Sequence, residues 1–354
     1  MKFSICIPNY NYGKYIGRTI QSVLDQDFGD FEIIVSDNCS TDDSWDVITG
    51  FKDSRIKPSC NRCNVGFAGN LDRAARRATG QFMIMLSSDD VMRPGALRAY
   101  ENLIQQLGPN ASRSVWSSLV EMIDPEDRPM QLTGRYGSIW TASDRAPDFD
   151  AVAGGPTYSI PARELLRRCV SEMKNPLPFA ATCYPRELYE AVEGYGGGRL
   201  INPDRWFNWK LFGVADHVYF VERPLFGYRW HPTNQTAQQS ANGALKYEVD
   251  GYVSTLELDG KLLGEIGLSK DQVAEAFVEY DIARNGLATL GRGQRLRAQR
   301  ILDFGRSVYP SALRNNRKAW ALWALLLLGP VGASIARSAY RRHLSSGQDL
   351  AGKC

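Results

Sequence analysis

The chain has 354 residues and a mass of 39.6 kDa, more than one ordinary single core holds, so one large domain with an appendage, or two domains, is expected. Hydrophobic residues make up 44% and charged residues 23%, which excludes disordered, collagenous and multi-span membrane classes. The net charge of +3 is unevenly placed: residues 292–353 hold twelve Lys and Arg against two acids, Asp303 and Asp349, so that this tail carries +10 and everything before it −7. A basic tail calls for an anionic partner.

The first apolar run, residues 3–7, is stopped by Pro8 and reads as a buried strand ending in Pro8-Asn9-Tyr10-Asn11. Ile16, Ile20, Val23 and Leu24 recur at helical spacing and predict a helix over 14–26. Residues 31–35 form the second strand, and Ser36-Asp37-Asn38-Cys39-Ser40 is the loop after it. Thr41 or Asp42 can cap the next helix, with Trp45, Ile48 and Phe51 inward. A short third strand over 55–58, a helix over 68–78 and a fourth strand over 82–86 continue the alternation, which implies a mostly parallel, doubly wound α/β sheet. Ligands of such sheets bind at the C-terminal ends of the strands.

Neither G-x-G-x-x-G after a strand nor G-x-x-x-x-G-K-[ST] occurs, so phosphate must be neutralised in another way. The fourth strand ends in Ser87-Ser88-Asp89-Asp90. Two adjacent carboxylates at a buried strand end raise each other's pKa unless a cation lies between them, and Mg²⁺ typically takes one or two carboxylates plus substrate phosphates. The plainer reading is a polar turn before the helix that Pro94 opens. The seven cysteines are scattered without framework spacing and no signal peptide precedes Phe3, which points to reduced thiols in a cytoplasm. Cys60-Asn61-Arg62-Cys63 has the spacing of half a zinc site, but a second such pair is missing.

The segments Ile7-Pro8-Asn9-Tyr10-Asn11, Ile20-Gln21-Ser22-Val23-Leu24-Asp25-Gln26 and Glu32-Ile33-Ile34-Val35-Ser36-Asp37-Asn38-Cys39-Ser40-Thr41-Asp42 resemble the N-terminal half of family 2 glycosyltransferases. Asn64-Val65-Gly66, Asn70 and Leu86-Ser87-Ser88-Asp89-Asp90 continue the likeness in order and spacing. The resemblance implies the GT-A fold with a C-terminal helical extension, divided as 1–115 for the nucleotide sugar, 116–236 for the acceptor and 237–354 as a helical, basic region. It also implies roles. Pro8, Asn9, Tyr10, Asp37, Asn70 and Ser88 would bind the donor, Asp37 through the base, while Asp89 would hold metal and ribose. Asp90 would hold the metal, Mn²⁺ or Mg²⁺. Ser87 stands where the commoner D-S-D-D form has its first Asp.

Further along, Gly194-Tyr195-Gly196-Gly197-Gly198 and Asn202-Pro203-Asp204-Arg205-Trp206-Phe207 resemble the segment in which the family carries its Glu-Asp pair. Pro203 replaces the Glu, so Asp204 is the candidate general base, with Trp206, Phe207 and Trp209 placed to desolvate it; an N-cap is the rival role. Tyr228-Arg229-Trp230-His231 looks like the closing motif, with His231 at the metal and Arg229 either neutralising phosphate or bracing the loop. The Q-x-x-R-W signature of processive polymer synthases is absent in the family's form, which implies one sugar per encounter.

The resemblance thus implies an inverting, metal-dependent transfer from a nucleoside-diphosphate sugar, UDP favoured, to a hydroxyl of a glycan or lipid-linked glycan in cell-surface polysaccharide assembly, with no nucleic-acid partner. Trp116, Trp140, Tyr158, Trp206 and Trp209 offer flat faces for acceptor sugars, or core. The rivals are a degenerate nucleotide-sugar-binding scaffold and a nucleotidyltransferase. After residue 236 helical patterns resume over 247–263, 270–290 and 295–308, and 319–336 is free of charge between basic flanks. That segment reads as an interfacial membrane helix, a packed helix or a span, and the protein is expected in the cytoplasm, peripheral at an anionic inner membrane face.

Overall fold

The computed structural model describes residues 1–133, 137–196, 200, 202–234 and 245–345. Gly197 and Gly198 of the glycine-rich segment, and Asp349 and Lys353 of the basic tail, lie outside the described residues. The chain divides into two compact units, one of Met1–Leu165 with Asn175–Pro232 and one of Leu166–Lys174 with Thr233–Cys354.

The first unit opens with β1 (Phe3–Asn9), α1 (Gly13–Leu24), β2 (Phe31–Asp37), α2 (Ser44–Gly50), β3 (Ile56–Cys60), α3 (Phe67–Ala75) and β4 (Phe82–Met85). β5 (Val91–Met92), α4 (Ala96–Leu107), β6 (Ser114–Ile123) and β7 (Pro129–Thr133) follow. Then come α5 (Asp150–Ala153), β8 (Thr157–Pro161), α6 (Ala162–Glu172), which from Leu166 on belongs to the second unit, β9 (Cys183–Pro185), α7 (Arg186–Ala191), α8 (Asp204–Val214) and β10 (His217–Arg229). Among the described residues ten strands make one sheet in the order β3-β2-β1-β4-β9-β6-β10-β5, with β7 added to β6 and β8 to β10.

The β3-β2-β1-β4 block is parallel throughout, as the β-α alternation requires, and its central strands β1 and β2 are buried on both faces. Ile5 and Ile7 of β1 and Ile16, Ile20 and Val23 of α1 share one core with Ile33 and Val35 of β2. β9 runs antiparallel to β4, and β5 and β8 antiparallel to β10, so the sheet is mixed beyond β4.

Two polar features position the strand ends. The Cys6 carbonyl accepts from Leu86 N–H at 2.9 Å, which is the last rung between β1 and β4. Pro8, two residues on and facing the same way, has no N–H to offer, so β4 is released there. In the middle of the sheet Glu32 is wholly buried, paired with Lys57, and accepts from Ser4 Oγ (2.6 Å), Thr79 N–H (2.6 Å) and Thr79 Oγ1 (2.8 Å). Burial opposes its charge, but the Lys57 ammonium and these donors together hold its carboxyl down to about 2.

The second unit is helical. Its helices are Lys246–Leu256, Gly260–Glu265, Lys270–Phe277, a π-helical turn Val278–Arg284, Asn285–Gly291, Arg295–Val308, Pro310–Asn315, Arg317–Leu327 and Gly329–Ser345. The uncharged stretch 319–336 is therefore two helices, bent at Gly329, whose φ of +60° suits glycine. No helix among the described residues is long and apolar enough to cross a membrane, so the span alternative is not realised there.

Because the Glu32 pKa is lowered in the fold, its stabilisation is complete above the unfolded value of 4.5 and is lost as pH falls toward about 2. Glu32→Gln is expected to cost about 1–3 kcal/mol at pH 7 by leaving Lys57 unpaired. Thermal melting of both proteins from pH 7 downward should show the gap between them narrowing below pH 4.5; a gap constant with pH would refute the assignment.

Candidate active site

The predicted residues gather at the C-terminal edge of the sheet in two adjoining clusters. The first is built on the ends of β1, β2 and β3. Asp37, fully buried, accepts from Asn9 Nδ2 (2.8 Å) and Ser40 Oγ (2.6 Å) on Oδ1, and from Ser40 N–H (2.9 Å) and the Cys60 thiol (3.5 Å) on Oδ2. All four acceptor positions of the carboxylate are thus taken within the protein. Asn70, on α3, donates to the Ser36 carbonyl (2.9 Å) and accepts from Ser36 Oγ (2.8 Å) and Asn61 Nδ2 (2.9 Å).

Asn70 and Asn9, both expected at the donor, tie strand ends together and are buried, with 2% and 1% of their surface exposed. Tyr10, in contrast, is open to solvent at the end of β1, beside the buried Pro8. The loops after β1 and β2 are sewn together, with Asn11 N–H on Ser40 Oγ (2.9 Å), Thr41 N–H on Asn11 Oδ1 (2.7 Å) and Gly13 N–H on Asp42 (2.8 Å). Asn11 and Cys39 take left-handed backbone, at φ +57° and +64°.

The second cluster joins the end of β4 to the end of β10. Thr19 Oγ1 of α1 meets the Ser88 and Asp90 carbonyls at 2.9 and 2.7 Å and fixes the turn. His231 Nε2 lies 3.1 Å from Asp89 Oδ2, and its ring packs on Tyr15 at 4.6 Å between centroids and on Tyr12 at 5.7 Å. Asp90 is buried and its Oδ1 accepts the Arg229 backbone N–H at 3.0 Å. Burial first, and the neighbouring Asp89 charge second, push its carboxyl well above the usual carboxylate range.

Arg229, read as either neutralising phosphate or bracing the loop, has none of its surface exposed. Its Nε donates to the Asp89 carbonyl at 2.7 Å, one terminal nitrogen to the Asp124 and Pro125 carbonyls at 3.2 Å each, and the other pairs with Asp127 at 2.5 Å. These contacts engage four of the five guanidinium N–H groups and brace the loop.

Asp204 is half-buried at the first position of α8, with Pro203 as the N-cap, so it is not the cap itself. A helix N-terminus favours negative charge there. The aromatic residues around it are core: Phe207 stacks on Tyr195 at 3.9 Å, and Trp206 and Trp209 are buried. Trp116, Trp140 and Tyr158 are buried as well, so none of the five offers a face to a sugar. Asp72 of α3 accepts from Tyr189 Oη (2.8 Å) and Tyr195 N–H (2.7 Å), tying the glycine-rich segment before Asp204 to the same helix that carries Asn70. Thr19, Asp72 and Asp127 carried no sequence signal, since each is an isolated polar residue whose partner is over sixty positions away.

Among the described residues no group of three or more His, Cys, Asp or Glu is assembled for a metal; Asp89 and His231 are a two-residue set. The Cys60-x-x-Cys63 pair holds free thiols, and Cys60 is spent on Asp37.

Comparison with known proteins agrees with this architecture. Residues 4–124 match the family described as Glycosyl transferase family 2. An uncharacterized glycosyltransferase, alr2836, of Nostoc sp. strain PCC 7120 is 26% identical over 96% of this chain and 92% of its own. The UDP-Glc:alpha-D-GlcNAc-diphosphoundecaprenol beta-1,3-glucosyltransferase WfaP of Escherichia coli is 42% identical over 25% of this chain, a match that spans only 35% of WfaP. The crystal structure of Staphylococcus aureus TarS 1–349 in complex with UDP-GlcNAc superposes with a TM-score of 0.62 at 20% identity, covering 99% of this chain and 93% of that one, and shares the fold. With strand ends, paired acids and chain order all in agreement, residues 4–124 carry a family 2 glycosyltransferase domain and the chain has the GT-A fold.

Proposed function

We propose that the protein moves one sugar from a nucleoside-diphosphate sugar, UDP favoured, to a hydroxyl of a glycan or lipid-linked glycan acceptor, with inversion at the anomeric carbon. The observation that carries the reading is the Asp89–His231 pair at 3.1 Å, set beside buried Asp90 at the C-terminal edge of β4. The names of WfaP, which includes a UDP-glucose donor and a diphosphoundecaprenol acceptor, and of the TarS complex with UDP-GlcNAc support the donor and acceptor classes.

Tyr10 presents its ring at the mouth of the first cluster, where a nucleobase stacks. Asp37 recognises the base through its carboxylate, and the weakest of its four present donors, the Cys60 thiol, is the one a ring N–H replaces. Asp89 Oδ2 and His231 Nε2, 3.1 Å apart, would hold Mn²⁺ or Mg²⁺, with Asp90 behind them. When bound, that ion supplies positive charge opposite the leaving diphosphate.

Asp204 takes the proton of the acceptor hydroxyl as the oxygen attacks the anomeric carbon in line, and the glycosidic bond to the diphosphate breaks on the opposite side. Single displacement gives the opposite anomer, which proton coupling constants of the product report.

Release of nucleoside diphosphate from a panel of UDP-, GDP- and dTDP-sugars is expected for one UDP-sugar in Mn²⁺ and is expected to vanish with EDTA; release indifferent to EDTA would overturn the metal role. Asp204→Asn should lower transfer by about 10²–10⁴-fold while leaving donor affinity, read by calorimetry, unchanged, whereas Asp89→Ala should weaken both. Equal loss of donor affinity in the two variants would break that division. Arg229→Ala should destabilise the fold by about 1–3 kcal/mol, because it leaves the Asp89, Asp124 and Pro125 carbonyls unpaired around a buried hole, while Asp127 keeps Arg18. Wild-type melting with selective loss of donor affinity would instead return Arg229 to the phosphate.

A further inference from the structure

The last two described helices, Arg317–Leu327 and Gly329–Ser345, form a tight hairpin within the second unit. Its inner side is fully settled. Ala319, Leu322 and Leu326 of the first helix and Ala336 of the second are buried. Gly286 lies so close under Leu322 Cδ2, and Gly332 so close to the Leu325 carbonyl, that neither site could hold a Cβ. The N-terminal end is pinned as well: Asn316 caps Ala319 N–H at 2.9 Å and donates to Glu279 at 2.9 Å, and Lys318 pairs with the same Glu279.

The outer side is apolar and open. Trp320, Trp323 and Leu327 recur at one helical face, with 53%, 39% and 66% of their surface exposed. Leu328 at the bend and Val331 and Ile335 on the second helix continue that character at 55%, 63% and 48%. Six large apolar side chains along one hairpin is more than scattered surface residues explain. What borders them is of one sign. No acidic residue occurs between Asp303 and Asp349, while Arg314, Arg317, Arg337 and Arg341 are exposed on the two helices and at their entrance.

We infer that this hairpin is an in-plane docking surface for an anionic phospholipid bilayer. An eleven-residue helix is about 16 Å long. That is half of the ~30 Å a span must cross, so the hairpin enters the headgroup region sideways with its six apolar side chains down and its arginines at lipid phosphate. Tryptophan suits that boundary because its ring is apolar and its N–H polar. The inference deepens the reading of a lipid-linked acceptor: docking confines the enzyme to the surface on which such an acceptor lies.

The test is vesicle flotation of the full chain without any donor, at about 50 mM and about 500 mM NaCl, using phosphatidylglycerol or phosphatidylcholine vesicles. Wild type is expected to float with phosphatidylglycerol at low salt and to remain behind with phosphatidylcholine or at high salt. Leu327→Ser/Val331→Ser/Ile335→Ser should reduce the bound fraction at least tenfold, with unchanged circular dichroism and unchanged donor affinity, since the three side chains touch solvent. Arg317→Glu/Arg341→Glu should do so by charge alone. Failure of wild type to float, or flotation of the triple variant at the wild-type level, overturns the docking surface. So does a dimer in sedimentation velocity that the triple variant dissolves, which would assign the face to a second copy. Loss of nucleoside diphosphate release with intact flotation would overturn the transferase reading and leave the docking surface standing.

Discussion

The buried guanidinium of Arg229 is the constraint on which the catalytic edge depends. A charge taken fully out of water is tolerated only when it is paired and hydrogen-bonded, and here Asp127 and the carbonyls of Asp89, Asp124 and Pro125 engage four of its five N–H groups. Three chain segments distant in sequence must therefore meet around one side chain. Its backbone N–H reaches Asp90 at the same time, so the end of β10 is locked to both acids after β4. The irregular register of β10 against β6, shifted between Val221, Pro224 and Phe226, is what brings Arg229 opposite Ile123, at the mouth of the turn that carries Asp127.

A second lesson concerns which polar residues do chemistry and which do folding. Asp37, Asn9, Asn61, Asn70 and Ser40 form a continuous network that closes the ends of three parallel strands, where backbone groups leave the ladder and need partners. Such a network joins the three strand ends and the loops after them into one hydrogen-bonded block, which leaves Tyr10 as the exposed side chain at the end of β1.

The parallel half of the fold was legible because its signals are local. Buried β1 and β2 read as apolar runs, α1 as a 3.6-residue pattern, and the turn residues sat between them. Asp89, Asp90 and His231 were legible as motif ends, and they do converge. What failed to show was anything decided by three-dimensional partners. The burial of Arg229 and Asn70 did not show because sequence reports charge and polarity and not exposure, and whether the tryptophans were platforms or core stayed open for the same reason. The antiparallel β9 depended on tertiary pairing.

Pro8 ends a ladder by what it withholds. The pairing between β1 and β4 ends at the Cys6 carbonyl, and an amide at position 8 would offer the Leu86 carbonyl a further rung. With the imide there, that rung is missing, and the chain after β4 is held instead by α1, whose Thr19 hydroxyl meets the Ser88 and Asp90 carbonyls. The placement of the two adjacent acids thus answers to a helix and not to the neighbouring strand.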